Sequence, residues 1–259
     1  MDFTEDEIQR YARNILLSEV GGTGQAKLRA ASVLVVGAGG LGSPLALYLA
    51  GAGVGTLGIV DADTVDLSNL QRQIAHTLAR VGTAKVESAA EAMRAINPLV
   101  QVRTHAVRLA AENVATLIAP YDIVCDGTDN FPTRFLLADA AWRAGKTLVS
   151  AAVLRFEGQL STFKPGHAPD GTANPCYRCL YPAPPPEGLV PSCAEAGILG
   201  PVTGVMGTLQ ATEVLKEIIG IGESLAGRLL IWDALAVRFR VVRLTADPGC
   251  ALCGAPASP

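Results

Sequence analysis

The chain has 259 residues, with 21 lysines and arginines against 24 acids and a net charge of −3. That length supports one large core, and without a basic face or charge run the sequence offers nothing to a nucleic-acid partner. The uncharged stretch 30–60 is broken by eight glycines and Pro44, so it reads as strand, turn, helix, turn and strand and excludes a membrane span. The opening MDFTEDEIQR lacks the basic-then-apolar order of an export signal, and a cytoplasmic protein is expected.

Thr4 and Glu7 have capping-box spacing, and Ile8, Tyr11, Ile15 and Leu16 recur behind them at helical spacing, with Arg13 on another face. Ser32 to Val36 (SVLVV) is a short β-branched run of the kind that forms a buried strand. Gly37, Gly39 and Gly42 then fit GxGxxG, followed by helical Leu45, Leu47, Tyr48 and Leu49. In such a turn one glycine makes the bend, one admits phosphate and one packs the helix, whose first amides form an anion site. A second strand spans Thr56 to Val60, and Asp61 stands at its end, about 20 residues beyond the glycines, where an acid binds ribose hydroxyls. Ala84 to Ile96 reads as a helix stopped by Asn97 and Pro98, VQVRTH as a strand and Arg108 to Ile118 as a further helix.

The strand DIVCD (Asp122 to Asp126) runs into GTDN, leaving Asp129 and Asn130 at a strand-to-helix junction. Thr147 to Ala151 is the next buried strand, and from Gly158 the pattern turns to paired strands. The prolines of YPAPPPEGLVPS predict a mobile crossover loop over 180–198, and 198–219 reads as a packed core helix. The expected fold is α/β: a single domain over 1–259 with a Rossmann-like, mainly parallel mixed sheet, helices on both faces and an antiparallel extension.

Arg72 closes SNLQR and Lys85 opens the helix after GTA. A dehydrogenase has no need of these cations, because its pyrophosphate rests on backbone amides. Lys85 and Arg72 suit charge building on a phosphate of ATP, and Asp129 suits the Mg2+ that ATP carries. Cys176 and Cys179 form CYRC and Cys250 and Cys253 form CALC; two such pairs suit a tetrahedral Zn2+ site, or a redox or disulfide pair. Cys125 lies within an apolar strand, whereas Cys193 lies on the proline-rich segment, where a thiol near an ATP site either captures an activated acyl group or is a plain exposed or half-buried thiol. His76, His105 and His167 are scattered and carry no assigned role; Trp142 and Trp232 read as packing.

The motifs RYARNILL, GAGGLG, DADTVDLSNLQRQ, GTAKVES, DGTDN, CYRC, SCAEAG, GPVTGVMGTLQATEVLK and CALC together resemble the MoeB/ThiF adenylyltransferases, E1-like activating enzymes of ubiquitin-like sulfur-carrier proteins, over nearly all of 10–254. The resemblance implies an ATP site lined by Gly40, Asp61, Ser68, Asn69, Leu70, Gln71, Arg72, Lys85, Asp129 and Asn130. It also implies a homodimer in which Arg13 reaches the neighbouring subunit's site, a structural Zn2+ on the four paired cysteines, and a reactive Cys193 in some members. The implied activity is adenylation of a carrier's C-terminal Gly-Gly, forming acyl-AMP and pyrophosphate ahead of transfer from a separate sulfur donor. The chain ends soon after Cys253, so an appended rhodanese-type sulfurtransferase domain is not expected. Three other readings are adenylation of a small-molecule or nucleoside carboxylate, an NAD-dependent oxidoreductase and a non-catalytic carrier-binding scaffold. The oxidoreductase would leave Arg72, Lys85, Asp129 and the cysteine pairs without a purpose.

Overall fold

The computed structural model describes residues 3–186 and 196–254. Its eight strands form one sheet in the order β3-β2-β1-β4-β5-β6-β7-β8. The strands are β1 (Ser32–Val36), β2 (Thr56–Val60), β3 (Gln101–His105), β4 (Ile123–Asp126), β5 (Thr147–Leu154), β6 (Glu157–Phe163), β7 (Arg228–Asp233) and β8 (Arg238–Arg243). The first five are parallel, and β6, β7 and β8 add antiparallel. The helices are α1 (Glu5–Ile15), α2 (Gly21–Ala30), α3 (Gly42–Ala52), α4 (Lys85–Ile96), α5 (Val114–Ile118), α6 (Phe131–Arg143), α7 (Tyr177–Leu180) and α8 (Gly200–Ile219).

The alternation of a pleated strand divides β1 between two cores. Val33 and Val35 join the cluster under α3, α4 and α8, whereas Leu34 and Val36 face the cluster of α5, α6 and α7. Both faces are therefore covered, which explains why these parallel strands read as continuous apolar runs. The order reverses between β1 and β4, whose carboxyl ends meet at Val36 and Asp126. Such a switch point opens a crevice for ligands.

The capping box forms: Glu7 N–H donates to Thr4 Oγ1 at 3.2 Å, and Thr4 N–H donates to Glu7 Oε2 at 2.8 Å. Tyr11 anchors α1, accepting from Asn97 Nδ2 at 2.9 Å, while Ile8 and Leu16 stay exposed. Thus the helical stripe is only partly core within one chain. Two element boundaries differ from expectation. Helix α5 begins at Val114 rather than Arg108, because Asn113 turns its side chain back on the chain, accepting from Ala110 N–H and donating to the Arg108 carbonyl. Those local bonds replace a helical turn. Strand β5 runs on to Leu154, carried past Ala151 by its pairing with β6.

Candidate functional site: a nucleotide-sized cleft at the switch point

A cleft of about 600 Å³ opens over the carboxyl ends of β1, β2 and β4. Its lining gathers Gly37, Gly39, Gly40, Asp61, Arg72, Lys85, Asp129 and Asn130 from five separate stretches of sequence. Ser68, Asn69, Leu70 and Gln71 form the turn that leads into Arg72 and lie outside the lining, as do Gly42 and Arg13. Arg13 is exposed on α1.

The three motif glycines divide their work as steric limits require. Gly37 has φ 97°, a left-handed backbone that disfavours a side chain, and a Cβ there would lie 2.8 Å from the Gly127 carbonyl. A Cβ on Gly42 would stand 1.8 Å from the Gly37 carbonyl oxygen. A Cβ on Gly39 would meet only Gln73 Nε2, at 3.6 Å, so this glycine keeps the cleft floor open. Helix α3 starts directly after the turn with no side-chain cap; Ser43 N–H already donates to the Gly39 carbonyl at 2.9 Å and Pro44 has no N–H, so the positive end of the helix meets an anion chiefly through the amides of the turn itself. Gly42→Ala is expected to lower stability by about 3 kcal/mol or more, because the clash is with backbone rather than a yielding side chain. A urea midpoint equal to that of the wild type would contradict this packing.

Asp61 is fixed by two backbone amides: Ala38 N–H donates to Oδ2 at 2.8 Å and Asp63 N–H donates to Oδ1 at 2.9 Å. Each carboxylate oxygen has capacity for a further donor, such as a ribose hydroxyl. Lys85 is buried and donates to Asp63 Oδ2 at 2.9 Å, which steadies the ammonium at the cleft wall. Arg72 donates to the Ser68 carbonyl at 3.2 Å, bending its guanidinium back over its own turn. Asp129 is exposed in the lining, and Asn130 caps α6 by accepting Thr133 N–H at 3.0 Å.

Three contributors escaped the sequence reading. Asp126 is 1 % exposed and accepts from Thr128 N–H, Thr128 Oγ1 and Ser150 Oγ at 2.7–3.0 Å, so it shapes the turn that carries Asp129. Arg134 donates to the Thr128 carbonyl and lies 3.9 Å from Asp126. His76 is buried between Ser88 Oγ and the Ala38 carbonyl, each at 2.9 Å. Asp126 was visible as the last polar residue of an apolar strand, and Arg134 as the cation one turn into α6; neither position reveals a partner across the sheet. Beyond them the lining becomes aromatic with Phe163, Tyr177 and Tyr181, where Tyr181 donates to Gln159 Oε1 at 2.5 Å. Burial pushes both tyrosine pKa values up, so the phenols stay neutral.

The sulfur atoms of Cys176, Cys179, Cys250 and Cys253 all lie within 4.8 Å of one another. Individual separations are 3.8, 3.4 and 3.3 Å, close to the edge of about 3.8 Å that a zinc–sulfur bond of about 2.3 Å sets for a tetrahedron. None of the four is joined in a disulfide, and together they form a group that could hold a metal ion. Asp247 N–H and Leu252 N–H approach Cys179 and Cys250 sulfur at 3.4 Å, a donor shell suited to thiolates. Burial pushes the Cys176 thiol up, and a divalent cation offsets that cost. Cys125 is buried, and burial raises its thiol pKa far above the ordinary value, consistent with a packing role. Cys193 and the rest of 187–195, within the expected crossover loop, lie outside the described residues.

Sheet order and cleft define a doubly wound α/β protein with a ligand crevice at its switch point. The ThiF family model matches residues 11–252, and the chain belongs to the ThiF family. It is 49% identical over 256 residues to "Sulfur carrier protein adenylyltransferase" of Thermus thermophilus, covering 98% of this chain and 93% of that protein. It is 52% identical over 245 residues to "Probable adenylyltransferase/sulfurtransferase MoeZ" of Mycobacterium tuberculosis, covering 95% of this chain and 62% of the relative. For "Adenylyltransferase and sulfurtransferase MOCS3" of Bos taurus the figures are 52% over 252 residues, 97% and 54%. The chain thus spans little more than half the length of these two relatives. The structure of E. coli MccB with MccA-N7isoASN superposes with a TM-score of 0.84 at 22% identity, covering 95% of this chain and 75% of that one, a likeness of fold. Among the described residues no helix is long and apolar enough to cross a membrane.

Proposed function

We propose that this chain is an adenylyltransferase that uses Mg-ATP to activate the C-terminal glycine of a small ubiquitin-like sulfur-carrier protein in the cytoplasm. The observation that carries this reading is the meeting of Asp61, Arg72, Lys85 and Asp129 around one glycine turn. The ribose would rest on Asp61, with the phosphates over Gly39, Gly40 and the start of α3. Asp129 would hold Mg2+, which supplies charge neutralisation on the departing pyrophosphate. The carrier's carboxylate oxygen attacks the α-phosphorus, the bond from that phosphorus to the bridging oxygen breaks, and pyrophosphate leaves with the electron pair. Arg72 and Lys85 stabilise the added charge, and no base is needed because the nucleophile is already ionised at neutral pH. The aromatic end of the cleft gives an uncharged wall along which a glycine-ended tail can lie.

The same reading makes the protein a homodimer, with the partner subunit's Arg13 completing the site, and places Zn2+ on the four paired cysteines. Sulfur would come from a separate donor. Cys193 would act after adenylation, if in a covalent step at all, so Cys193→Ala is expected to keep the wild-type rate of adenylate formation; loss of that rate with normal ATP binding would give the thiol an earlier role. The direct test of the whole reading is isotopic pyrophosphate exchange into ATP. Exchange that depends on a Gly-Gly-ended carrier supports it, whereas exchange driven by a small carboxylate would move the substrate class.

A further inference from the structure

His76 is 5 % exposed and sits in the segment that delivers Arg72 to the cleft. Its Nε2 lies 2.9 Å from the Ala38 carbonyl oxygen and its Nδ1 lies 2.9 Å from Ser88 Oγ. A carbonyl only accepts, so Nε2 carries the proton and Nδ1 accepts from the serine hydroxyl. Ala38 is held from its other side as well, since its N–H donates to Asp61 at 2.8 Å. The 38–39 peptide is planar and trans, so holding the Ala38 carbonyl toward His76 turns the Gly39 N–H the opposite way. Gly39 lines the cleft, and the space beside its Cα is open as far as Gln73. Ser88 lies one turn along α4 from Lys85, and Arg80 donates to its carbonyl at 2.9 Å. One imidazole therefore ties together the glycine turn, the Arg72 segment and the helix that begins with Lys85.

We propose that His76 is a positioning residue for the nucleotide, whose neutral Nε2–H form fixes the Ala38–Gly39 peptide so that the Gly39 amide meets the phosphates. The proposal rests on the ATP reading above. Burial pushes the His76 pKa below the ordinary histidine value against the opposing hydrogen bond to Ala38, and Lys85 and Arg80 act with burial while Asp61 acts against it. The imidazole is thereby kept in the form that donates from Nε2 and accepts at Nδ1.

The test is Mg-ATP affinity by calorimetry on the intact protein, with KM for ATP and for a Gly-Gly carrier measured in parallel. His76→Leu is expected to weaken Mg-ATP about tenfold and leave the carrier KM unchanged, the scale of one lost buried hydrogen bond. His76→Gln places an amide donor where Nε2 stood and should recover most of that affinity. Equal ATP affinity in the leucine and wild-type proteins would overturn the proposal. A glutamine variant no better than leucine would also overturn it, since a packing role alone predicts that pattern. If the leucine variant does not fold, Ser88→Ala carries the test: it leaves Nδ1 without its donor, loosens the ring that holds the Ala38 carbonyl and should weaken Mg-ATP about threefold, with wild-type affinity as the contrary result. Wild-type protein that binds no Mg-ATP would instead sink the functional reading on which the proposal stands.

Discussion

Arg72→Ala is expected to slow carrier adenylation by about 10²–10³-fold while the melting curve stays within about 0.5 kcal/mol of wild type. The two halves of that expectation have separate causes. Arg72 is half-buried and its guanidinium donates to the carbonyl of Ser68, four residues away in its own turn, so its loss removes little that holds the fold. At the cleft wall, however, Lys85 already shares its charge with Asp63 at 2.9 Å. Arg72 then offers the lining a further cation for charge that appears only as the α-phosphorus is attacked. The loss should fall mainly on kcat, with a smaller rise in KM for ATP. A variant with wild-type turnover would remove Arg72 from the chemistry and leave the proposed charge stabilisation to Lys85 and the partner subunit's Arg13.

The second large effect concerns the four cysteines. Cys176→Ser should remove one tightly bound zinc per chain and loosen 245–254, with amide exchange there faster by about 10³-fold or more, equivalent to about 4 kcal/mol of local stability. Chelation of the wild-type protein should do the same. The effect stays local because the two main clusters of the sheet are built from other residues, whereas the C-terminal tail is fastened by Cys250 and Cys253. Some of it should reach α6: Arg178, between Cys176 and Cys179, pairs with Asp139 at 2.7 and 2.9 Å and stacks over Phe135 at 5.1 Å. Elemental analysis finding no zinc in folded protein, or exchange in 245–254 unaltered by the serine, would contradict a metal clamp.

The motif glycines were legible in the sequence because they answer to local steric limits: Gly42 faces the Gly37 carbonyl five residues back. The positions of Asp61, Arg72 and Lys85 were legible because each ends a strand, closes a turn or opens a helix that itself leaves a clear pattern. The partnerships of Asp126 with Ser150 and of His76 with Ala38 cross between strands or segments far apart in the chain, so no spacing announces them. The same limit hid β8: RFRVVR is exposed along its whole length and carries no buried face to mark its alternation. Its turn is closed by Val237 at φ 49°, a conformation that a β-branched residue rarely takes and that composition would not predict. Helix α5 was overextended for the opposite reason, since the side chain of one residue, Asn113, overrode a good helical composition.

The central claim, that this cleft joins AMP to a protein's C-terminal glycine, is tested most directly by the intact mass of a Gly-Gly-ended sulfur carrier incubated with the protein and Mg-ATP. The account predicts a carrier heavier by one AMP, formed only with Mg-ATP and lost when the terminal glycine is removed. A carrier of unchanged mass, under conditions where a related activating enzyme adenylates it, would contradict the claim.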